Sequence, residues 1–302
     1  MPSLSLILCT HNPKREFLER TLEALQKQSL AMDVWEFILI DNGSSHALAE
    51  SWSLAWHPQG RIIRENTLGL TPARLRGINE STSDLLVFVD DDNILDPHYL
   101  RTALEIARRM PHLGAFGGSV RAEFESPPPI WAVPYTPYLA IRPVSHEVWA
   151  NEYRFDIVPV GAGMCIRKPI ALAYASCIAN DTLRLSLDRK GGSLSSGGDS
   201  DMAFTAVDQG LGIGLFPELK LVHLMPEARL KLDYLSKLLE AISYSTTILL
   251  HLRQQLPAPR RINTINQILE AYRMWRQPRQ VRVLEAARKR GLMKARAHIA
   301  SL

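Results

Sequence analysis

The stretch that decides the fold is LLVFVDDD, residues 85–92, in which five apolar residues run directly into three aspartates. A short apolar run that ends in a polar cluster is typical of a buried β-strand. Neighbouring carboxylates repel one another, so three at one strand end indicate a bound cation, and Mg²⁺ or Mn²⁺ would accept such oxygen ligands. A solvated acidic turn is the alternative, and this stretch alone leaves both open.

Two other apolar runs end in polar clusters in the same way, residues 3–9 (SLSLILC) and residues 35–40 (WEFILI). A further short strand is predicted over 60–64. Apolar residues at helical spacing predict helices between and after these strands, over residues 15–28, 47–55, 72–81 and 98–109. The alternation predicts an α/β fold with a mostly parallel sheet and helices on both faces.

Ligands of such sheets bind beyond the carboxyl ends of the strands, where the three polar clusters lie. Their convergence on one edge of the sheet predicts a single binding site. Asp41 taken alone is equally well explained as an ordinary Asx turn. The polar residues at these strand ends are Thr10, His11, Asn12, Asp41, Asn42, Asp90, Asp91 and Asp92.

The second half of the sequence is less regular. Residues 157–166 (IVPVGAGMCI) predict a strand, a glycine turn and a strand, and residues 213–224 predict strand segments broken by Pro217. A glycine-rich loop, 191–198, leads into Asp199 and a helix. Asp199 is either the N-cap of that helix or a general base that reaches an acceptor hydroxyl, and spacing does not choose between the two roles.

The C-terminal quarter differs from the rest in charge. From Pro226 onward 15 Lys and Arg residues stand against 5 Asp and Glu, whereas the preceding residues carry 20 against 26. Helices are predicted over 228–252 and after Pro259 and Pro278. The last segment, 279–302, combines apolar residues with seven Lys and Arg residues and one acid. A basic amphipathic helix of this kind binds an anionic bilayer surface.

Cysteine usage and hydropathy indicate the compartment. The three cysteines form no CxxC pair, and no stretch approaches the ~18 uncharged apolar residues of a membrane span. These features predict a cytoplasmic protein, with peripheral contact at the inner face of the membrane through the basic C-terminal region. The sequence does not indicate the oligomeric state.

Taken together, the segments resemble the family 2 glycosyltransferases of the GT-A fold, from about residue 3 to residue 224. The resemblance is carried by SLILCTHNPKREFLERTLEALQKQ, FILIDNGSS, ENTLGLTPARLRGINESTSDLLVFVDDDNILDPHYL, GAGMCIRK, and GGDSDMAF followed by GLGIGLFPELKLVH. Each segment alone is a weak indicator of the family, whereas five such segments in this order are specific to it. The resemblance implies a catalytic domain over 1–225, with a nucleotide-sugar half to about 110 and an acceptor half from about 111. Residues 226–302 form a helical appendage.

The resemblance also implies a role for each site residue. The residues implied to bind the nucleoside and phosphates are Thr10, His11, Asn12, Asp41, Asn42, Arg74, Asp90 and Asp91. The residues implied to ligate Mg²⁺ or Mn²⁺ are Asp92 and His223, although a lone histidine is more often structural. The residues implied to face the donor sugar and acceptor are Gly161, Ala162, Gly163, Met164 and Asp201. Asp199 is implied to be the base that deprotonates the acceptor.

Two positions depart from the family's pattern. Gly198 stands where many relatives have a glutamate directly before the base, which removes one contact to the acceptor. Asn42 stands where a second aspartate is common, so binding of the nucleotide base by two carboxylates at this strand end is weakened.

The implied activity is metal-dependent, inverting transfer of a sugar from a nucleoside diphosphate, by default UDP, to a glycan or lipid-linked acceptor in polysaccharide, glycan or glycolipid biosynthesis. A nucleotidyltransferase is one alternative, although the loop THNPKRE after the first strand lacks the glycines that hold a triphosphate. A non-catalytic nucleotide-sugar-binding protein is another, and the retained Asp199 disfavours it. Nucleic acid is disfavoured as a partner because the basic region contains no recognised nucleic-acid module.

Overall fold

The computed structural model describes residues 2–179, 181–188, 194–258 and 263–302. Within these ranges the strands are β1 (Leu4–Thr10), β2 (Trp35–Asp41), β3 (Gly60–Arg64), β4 (Leu85–Asp90), β5 (Asn93–Leu95), β6 (Leu113–Phe124), β7 (Val148–Ala150), β8 (Cys165–Arg167) and β9 (Gly212–Met225). The α-helices are α1 (Arg15–Gln26), α2 (Leu48–Ser51), α3 (Leu70–Glu80), α4 (Tyr99–Arg109), α5 (Lys168–Ile178), α6 (Thr182–Leu185), α7 (Gly198–Asp208), α8 (Leu232–Leu252), α9 (Thr264–Trp275) and α10 (Arg279–Ala300). Two 3₁₀ helices cover Val133–Leu139 and Glu227–Leu230.

The described strands form one sheet in the order β3-β2-β1-β4-β8-β6-β9-β5, and β7 pairs with β9 outside this path. Strands β3, β2, β1 and β4 are parallel, as are β6 and β9. The antiparallel pairs all involve β5, β7 or β8, which have three residues each. The predicted α/β fold with a mostly parallel sheet and C-terminal helices is confirmed.

Helices cover both faces of the sheet, and β1 shows how its side chains are divided between them. Leu4, Leu6 and Leu8 pack into one core with residues of α1 and α4. Ile7 and Cys9 pack into a second core with residues of α3, α5 and α7. Parallel strands that are buried on both faces read as continuous apolar runs, which is why these segments were recognisable in the sequence.

Two predicted strand segments differ in the structure. Residues 157–164 form no strand, and only Cys165–Arg167 of that region pairs in the sheet. Pro217 does not break β9, because the strand accommodates it in a bulge: Phe216 pairs with Gly118 and Lys220 pairs with Ser119, so residues 217–219 have no partners on β6. Proline has no N–H to donate, and a bulge is one of the few places where a strand tolerates it.

Helices α8 and α10 pack on each other, and α8 also packs on the 3₁₀ helix Val133–Leu139. Residues of α8 share a core with the 3₁₀ helix Val133–Leu139 and with Leu284 of α10. Leu284 and Ala287 are fully buried, and Arg290 and Lys294 of α10 both pair with Glu240 of α8. Part of the apolar face that the sequence assigned to a bilayer is therefore covered by α8, whereas Leu292 and Met293 are exposed. No helix of the described part of the chain is long and apolar enough to cross a membrane.

Gly291 lies where α10 crosses α8, and a Cβ added there would overlap the carbonyl oxygen of Glu240. We expect Gly291→Ala to destabilise the protein by about 1–3 kcal/mol, since a rigid backbone atom must move. If α10 were not packed on α8, the same substitution would stabilise the protein, because alanine is about 1 kcal/mol more favourable than glycine in a helix. Thermal and urea unfolding of the variant distinguish the two outcomes, and a raised melting temperature would contradict the docking of α10.

Candidate functional site

A cavity of about 720 Å³ opens beyond the carboxyl ends of β1 and β4. One part of its wall carries the polar residues that follow these strands, and another part is formed by α8 and the 3₁₀ helix Val133–Leu139. The predicted site residues in its wall are Thr10, His11, Asn42, Arg74, Asp90, Asp91, Asp92, Gly161, Ala162, Asp199 and His223. The predicted site residues outside its wall are Asn12, Asp41, Gly163, Met164 and Asp201.

Asn42 holds the loop that follows β3 against the cavity. Its Nδ2 donates to the carbonyl oxygen of Thr67 at 2.7 Å, and its Oδ1 accepts from the backbone N–H of Gly69 at 2.8 Å. The ring nitrogen Nδ1 of His11 lies 2.7 Å from the Asn42 carbonyl oxygen. An amide both donates and accepts, which an ionised carboxylate cannot do. The departure from aspartate at position 42 therefore has a structural reason.

Asp41 is buried at the end of β2, and its carboxylate accepts hydrogen bonds from other residues of the protein. Its Oδ1 accepts from the N–H of Ser44 at 3.0 Å, and its Oδ2 accepts from the N–H of Leu48 at 3.1 Å and from Arg64 at 2.8 Å. Burial raises the pKa of Asp41, but these hydrogen bonds and the Arg64 charge hold that pKa below its ordinary value. Asp41 thus shapes the turn after β2, and its contact with a base stays a prediction.

Asn12 shapes the loop after β1 through its backbone conformation and its side chain, and the glycine segment contributes through its lack of side chains. Asn12 has a left-handed φ of 48°, and its Oδ1 accepts from the N–H of Ser45 at 2.8 Å. A Cβ added at Gly161 would lie 2.5 Å from Nη2 of Arg74 and 2.6 Å from Oδ2 of Asp199, so only glycine permits this approach. Met164 is fully buried in the core away from the cavity.

The three aspartates after β4 form a crowded acidic cluster. Burial, followed by the charge of Asp92, raises the pKa of Asp90. Burial raises the pKa of Asp91 to about 7, with Asp92 adding to the shift, although the Thr10 hydroxyl donates a hydrogen bond to Asp91. Burial and like charge destabilise the ionised form of these carboxyl groups, and a bound cation would stabilise that form.

Arg229, which the sequence analysis did not identify, supplies a positive charge to this cluster. Its Nη2 donates to Oδ2 of Asp92 at 3.0 Å, and its Nη1 lies 3.1 Å from Nε2 of His223. Arginine can only donate, so the Nε2 lone pair of His223 is turned toward Arg229 and the cluster. Arg229 comes six residues after His223 in a basic region, and no sequence pattern distinguishes it from its basic neighbours.

Asp92 and His223 are the residues best placed to ligate a metal ion. Nε2 of His223 lies 3.3 Å from Oδ1 of Asp92, so a nitrogen and a carboxylate meet at one point of the cavity wall. Within the described ranges no group of three or more His, Cys, Asp and Glu side chains is arranged to hold an ion. Such a pair suits Mg²⁺ or Mn²⁺ that takes its remaining ligands from phosphate oxygens and water.

A second arginine, Arg74 of α3, joins two carboxylates from distant parts of the chain. Its Nη1 makes an ion pair with Asp199 and lies 3.5 Å from Oδ2 of Asp188, which also accepts from the Thr71 hydroxyl at 2.9 Å. The Arg74 side chain is buried, whereas that of Asp199 is 31% exposed. Asp199 therefore presents a fixed carboxylate to the cavity. Asp188 was missed, because an aspartate before a glycine-rich loop carries no distinctive pattern.

Asp199 is not the N-cap of α7. Gly197 occupies the cap position without a side-chain bond, and Oδ2 of Asp199 instead accepts from the N–H of Gly161 at 2.8 Å. The capping interpretation was therefore wrong, and the carboxylate is free of its own helix.

Asp201, two residues further on, does not reach the cavity as the acceptor role would require. It is fully buried and pairs with Arg184 at 2.7 Å and with Arg253 at 2.8 Å. These ion pairs join α7 to α6 and to the end of α8. Because it follows Asp199 by two positions on a helix, its side chain points to another face.

A sequence profile described as Glycosyl transferase family 2 matches residues 5–157, half of the chain. An N-acetylglucosaminyltransferase of Sinorhizobium fredii is 26% identical over 260 residues, which cover 84% of this chain and 56% of that protein. An N-acetylglucosaminyltransferase of Bradyrhizobium diazoefficiens is 24% identical over 184 residues, which cover 59% of this chain and 36% of that protein. The matched part of this chain thus spans 56% of the length of the first relative and 36% of the length of the second.

Among solved structures, residues 1–349 of TarS from S. aureus superpose with a TM-score of 0.53 at 12% sequence identity. The superposition covers 98% of this chain and 89% of that one, so the C-terminal helices are included. At this identity the likeness establishes the fold alone.

We expect Arg229→Met to destabilise the protein by about 3 kcal/mol at pH 8, because the buried Asp92 carboxylate loses the positive charge of the guanidinium. The acidic cluster of the variant binds protons more readily than the unfolded chain, so the loss should shrink as the pH falls toward 5. Urea unfolding at the two pH values measures both quantities. Arg15→Met, which removes an exposed pair with Glu19, is the control and should change stability by less than about 0.5 kcal/mol at either pH. A loss of equal size at pH 8 and pH 5 would contradict this account of the cluster.

Proposed function

The chain belongs to glycosyl transferase family 2, and we propose that it transfers a sugar from a nucleoside-diphosphate sugar, by default a UDP-sugar, to an acceptor hydroxyl. The observation that carries the proposal is the position of Asp199. A partly exposed carboxylate, held by Arg74 and by the N–H of Gly161, stands in the same cavity wall as the acidic cluster of Asp90, Asp91 and Asp92. A proton acceptor and a diphosphate-binding cluster thus share one cavity.

The proposed chemistry follows from these charges. Asp199 accepts the proton of the acceptor hydroxyl while the acceptor oxygen forms a bond to the anomeric carbon. The bond from that carbon to the diphosphate breaks, and the diphosphate leaves with the electron pair. Attack from the face opposite the leaving group inverts the anomeric centre in one step. Arg229, beside the acidic cluster, is positioned to offset the negative charge that develops on the diphosphate.

A divalent cation is part of the proposal. Asp92 and His223 are the two side chains that would hold Mg²⁺ or Mn²⁺, and the lone pair of His223 is turned toward the cluster as a ligand requires. When bound, the cation supplies further charge neutralisation at the diphosphate. Arg229 now bonds Asp92, so donor binding would require that guanidinium to exchange part of its contact with Asp92 for phosphate oxygens.

The acceptor and the location of the reaction are proposals as well. A glycan or lipid-linked acceptor follows from the family, and contact of the basic C-terminal region with an anionic membrane surface stays a prediction. Because α8 covers Leu284 and Ala287, such contact would rest on the exposed Leu292 and Met293 and on charge, and Arg290 and Lys294 already pair with Glu240. No contact of the described residues favours a nucleotidyltransferase. Release of a nucleoside diphosphate rather than pyrophosphate would distinguish the two activities.

Asp199→Asn tests the base. We expect turnover to fall by roughly 10²–10⁴ while the affinity for the donor stays within a factor of about three, because an amide cannot take the proton. Steady-state transfer and calorimetric titration of the donor measure the two quantities. Asp33→Asn, an exposed position outside the cavity, is the matched control. Unchanged turnover would remove Asp199 from the reaction, and loss of folding would make it a structural residue.

A thermal-shift screen of nucleotide sugars with Mn²⁺ tests the donor and the metal together. A ligand at 100 times its Kd stabilises the folded protein by about 2.7 kcal/mol, a readable shift. We expect one nucleotide sugar to give this shift with Mn²⁺, and Asp92→Asn to lose the Mn²⁺-dependent part. Asp33→Asn should behave as the unaltered protein. A shift that is the same with and without Mn²⁺ would exclude the metal from donor binding.

A further inference from the structure

The part of the cavity wall contributed by α8 is apolar over most of its length. Side chains at intervals of four and three residues face the cavity, so one stripe of the helix lines it for about 22 Å at 1.5 Å per residue. The stripe consists of Tyr234, Leu238, Ile242, Thr246 and Leu249. The sequence predicts an apolar face on this helix that packs on another surface, formed by Leu232, Leu235, Leu239, Ile242 and Thr246 and widened by Leu238, Leu249 and Leu250. In the structure part of that face borders open volume.

A second apolar surface faces the same volume. The end of the 3₁₀ helix Val133–Leu139 contributes Pro137, Tyr138 and Leu139, and the segment before the glycine turn contributes Phe155 and Val158. Tyr138 is 39% exposed and Val133 51%, so the apolar surface continues to the outside of the protein.

The apolar stripe lies beside the proposed base. A Cβ added at Gly197, two residues before Asp199, would lie 2.8 Å from the Cβ of Ser245 on α8. The polar residues that suit a nucleotide come from other elements, at the ends of β1, β2 and β4. The acidic cluster and Asp199 therefore account for one part of the cavity, and the apolar part is left to the acceptor.

The chemistry of this apolar part selects among acceptors. A sugar chain brings many hydroxyl groups, and each buried without a partner costs about 1–3 kcal/mol. An aliphatic chain gains about 0.8 kcal/mol for each buried methylene group. Leu238 and Leu249 are buried, so the accessible surface of the stripe comes mainly from Tyr234, Ile242 and Thr246, and its only polar groups are the hydroxyls of Tyr234 and Thr246. The other elements of the cavity wall also contribute polar side chains, among them Arg142, Ser195, Ser196 and Ser200.

We propose that the acceptor is an amphiphile whose aliphatic chain lies along α8, with its reactive hydroxyl at Asp199. The inference rests on the proposed glycosyltransferase function and names its acceptor class. The chain enters between α8 and the 3₁₀ helix Val133–Leu139, where Tyr138 forms part of the exposed edge.

The full-length protein is tested with n-alkanols of four, six, eight and ten carbons, which carry a hydroxyl and a chain and nothing else. Each additional buried methylene group should tighten binding about fourfold, as 0.8 kcal/mol implies. Calorimetric titration below the solubility limit of each alcohol measures the series. We expect a continuous gain from four carbons to at least eight.

Ile242→Gln places an amide on the stripe and should reduce the gain from four to eight carbons at least tenfold. Leu250→Gln makes the same kind of change on α8 outside the cavity wall and should retain the gain. Both residues are half-buried, so melting temperatures show whether the two variants fold equally well. The shift caused by the nucleotide sugar should be the same in both.

The outcomes separate the inference from the proposed function. Affinity that does not depend on chain length, including no binding at all, or an equal loss in both variants, overturns the aliphatic acceptor. Binding of phenol-type alcohols with no gain from alkyl chains would make the site aromatic-specific and would also overturn it. If nucleotide sugars bind and are transferred while the alkanols fail, the glycosyltransferase function stands alone. If the alkanols bind as expected and no nucleotide sugar does, the apolar site stands and the proposed function fails.

Discussion

The structure of the site depends on one buried guanidinium. Arg74 belongs to α3 in the first half of the chain, and its two carboxylate partners, Asp188 and Asp199, belong to the second half. A buried arginine without a partner would be very costly, so this contact fixes how the two halves meet. Gly161 fits against the same pair of side chains because it has no Cβ. The carboxylate that faces the cavity is thus held by the packing of the domain itself.

Two arginines of the cavity wall form ion pairs with its aspartates. Arg74 pairs with Asp199 and Asp188, and Arg229 pairs with Asp92. Arg229 approaches from the short 3₁₀ helix Glu227–Leu230, directly after β9, so the acidic cluster and the arginine are brought together by the sheet rather than by a flexible arm. A diphosphate that binds beside the acidic cluster would bring its negative charge next to the Arg229 guanidinium.

The sequence predicted the sheet and the acidic end of the site because both follow from local patterns. A buried parallel strand must be apolar throughout, and the polar residues that end β1, β2 and β4 then fall on one edge. The roles of Asp188 and Arg229 and the position of α8 in the cavity wall were not predictable, since they arise from contacts between segments far apart in the chain. Asp201 shows the converse error. The family resemblance implied that Asp201 faces the acceptor, whereas its position on the helix places it in a buried ion pair with Arg253.

The pairing that resumes after the bulge at Pro217 determines which face of the sheet His223 occupies. Lys220 pairs with Ser119, and from there the register places His223 opposite Asn93, next to Asp92. Residues 217–219 have no partners on β6, so a change in length within them leaves these later pairs as they are. A slip of the pairing itself by one residue would bring Leu224 opposite Asn93 in place of the imidazole, because a one-residue shift exchanges the two faces of a strand. The bulge therefore separates the length of this segment from the position of the imidazole.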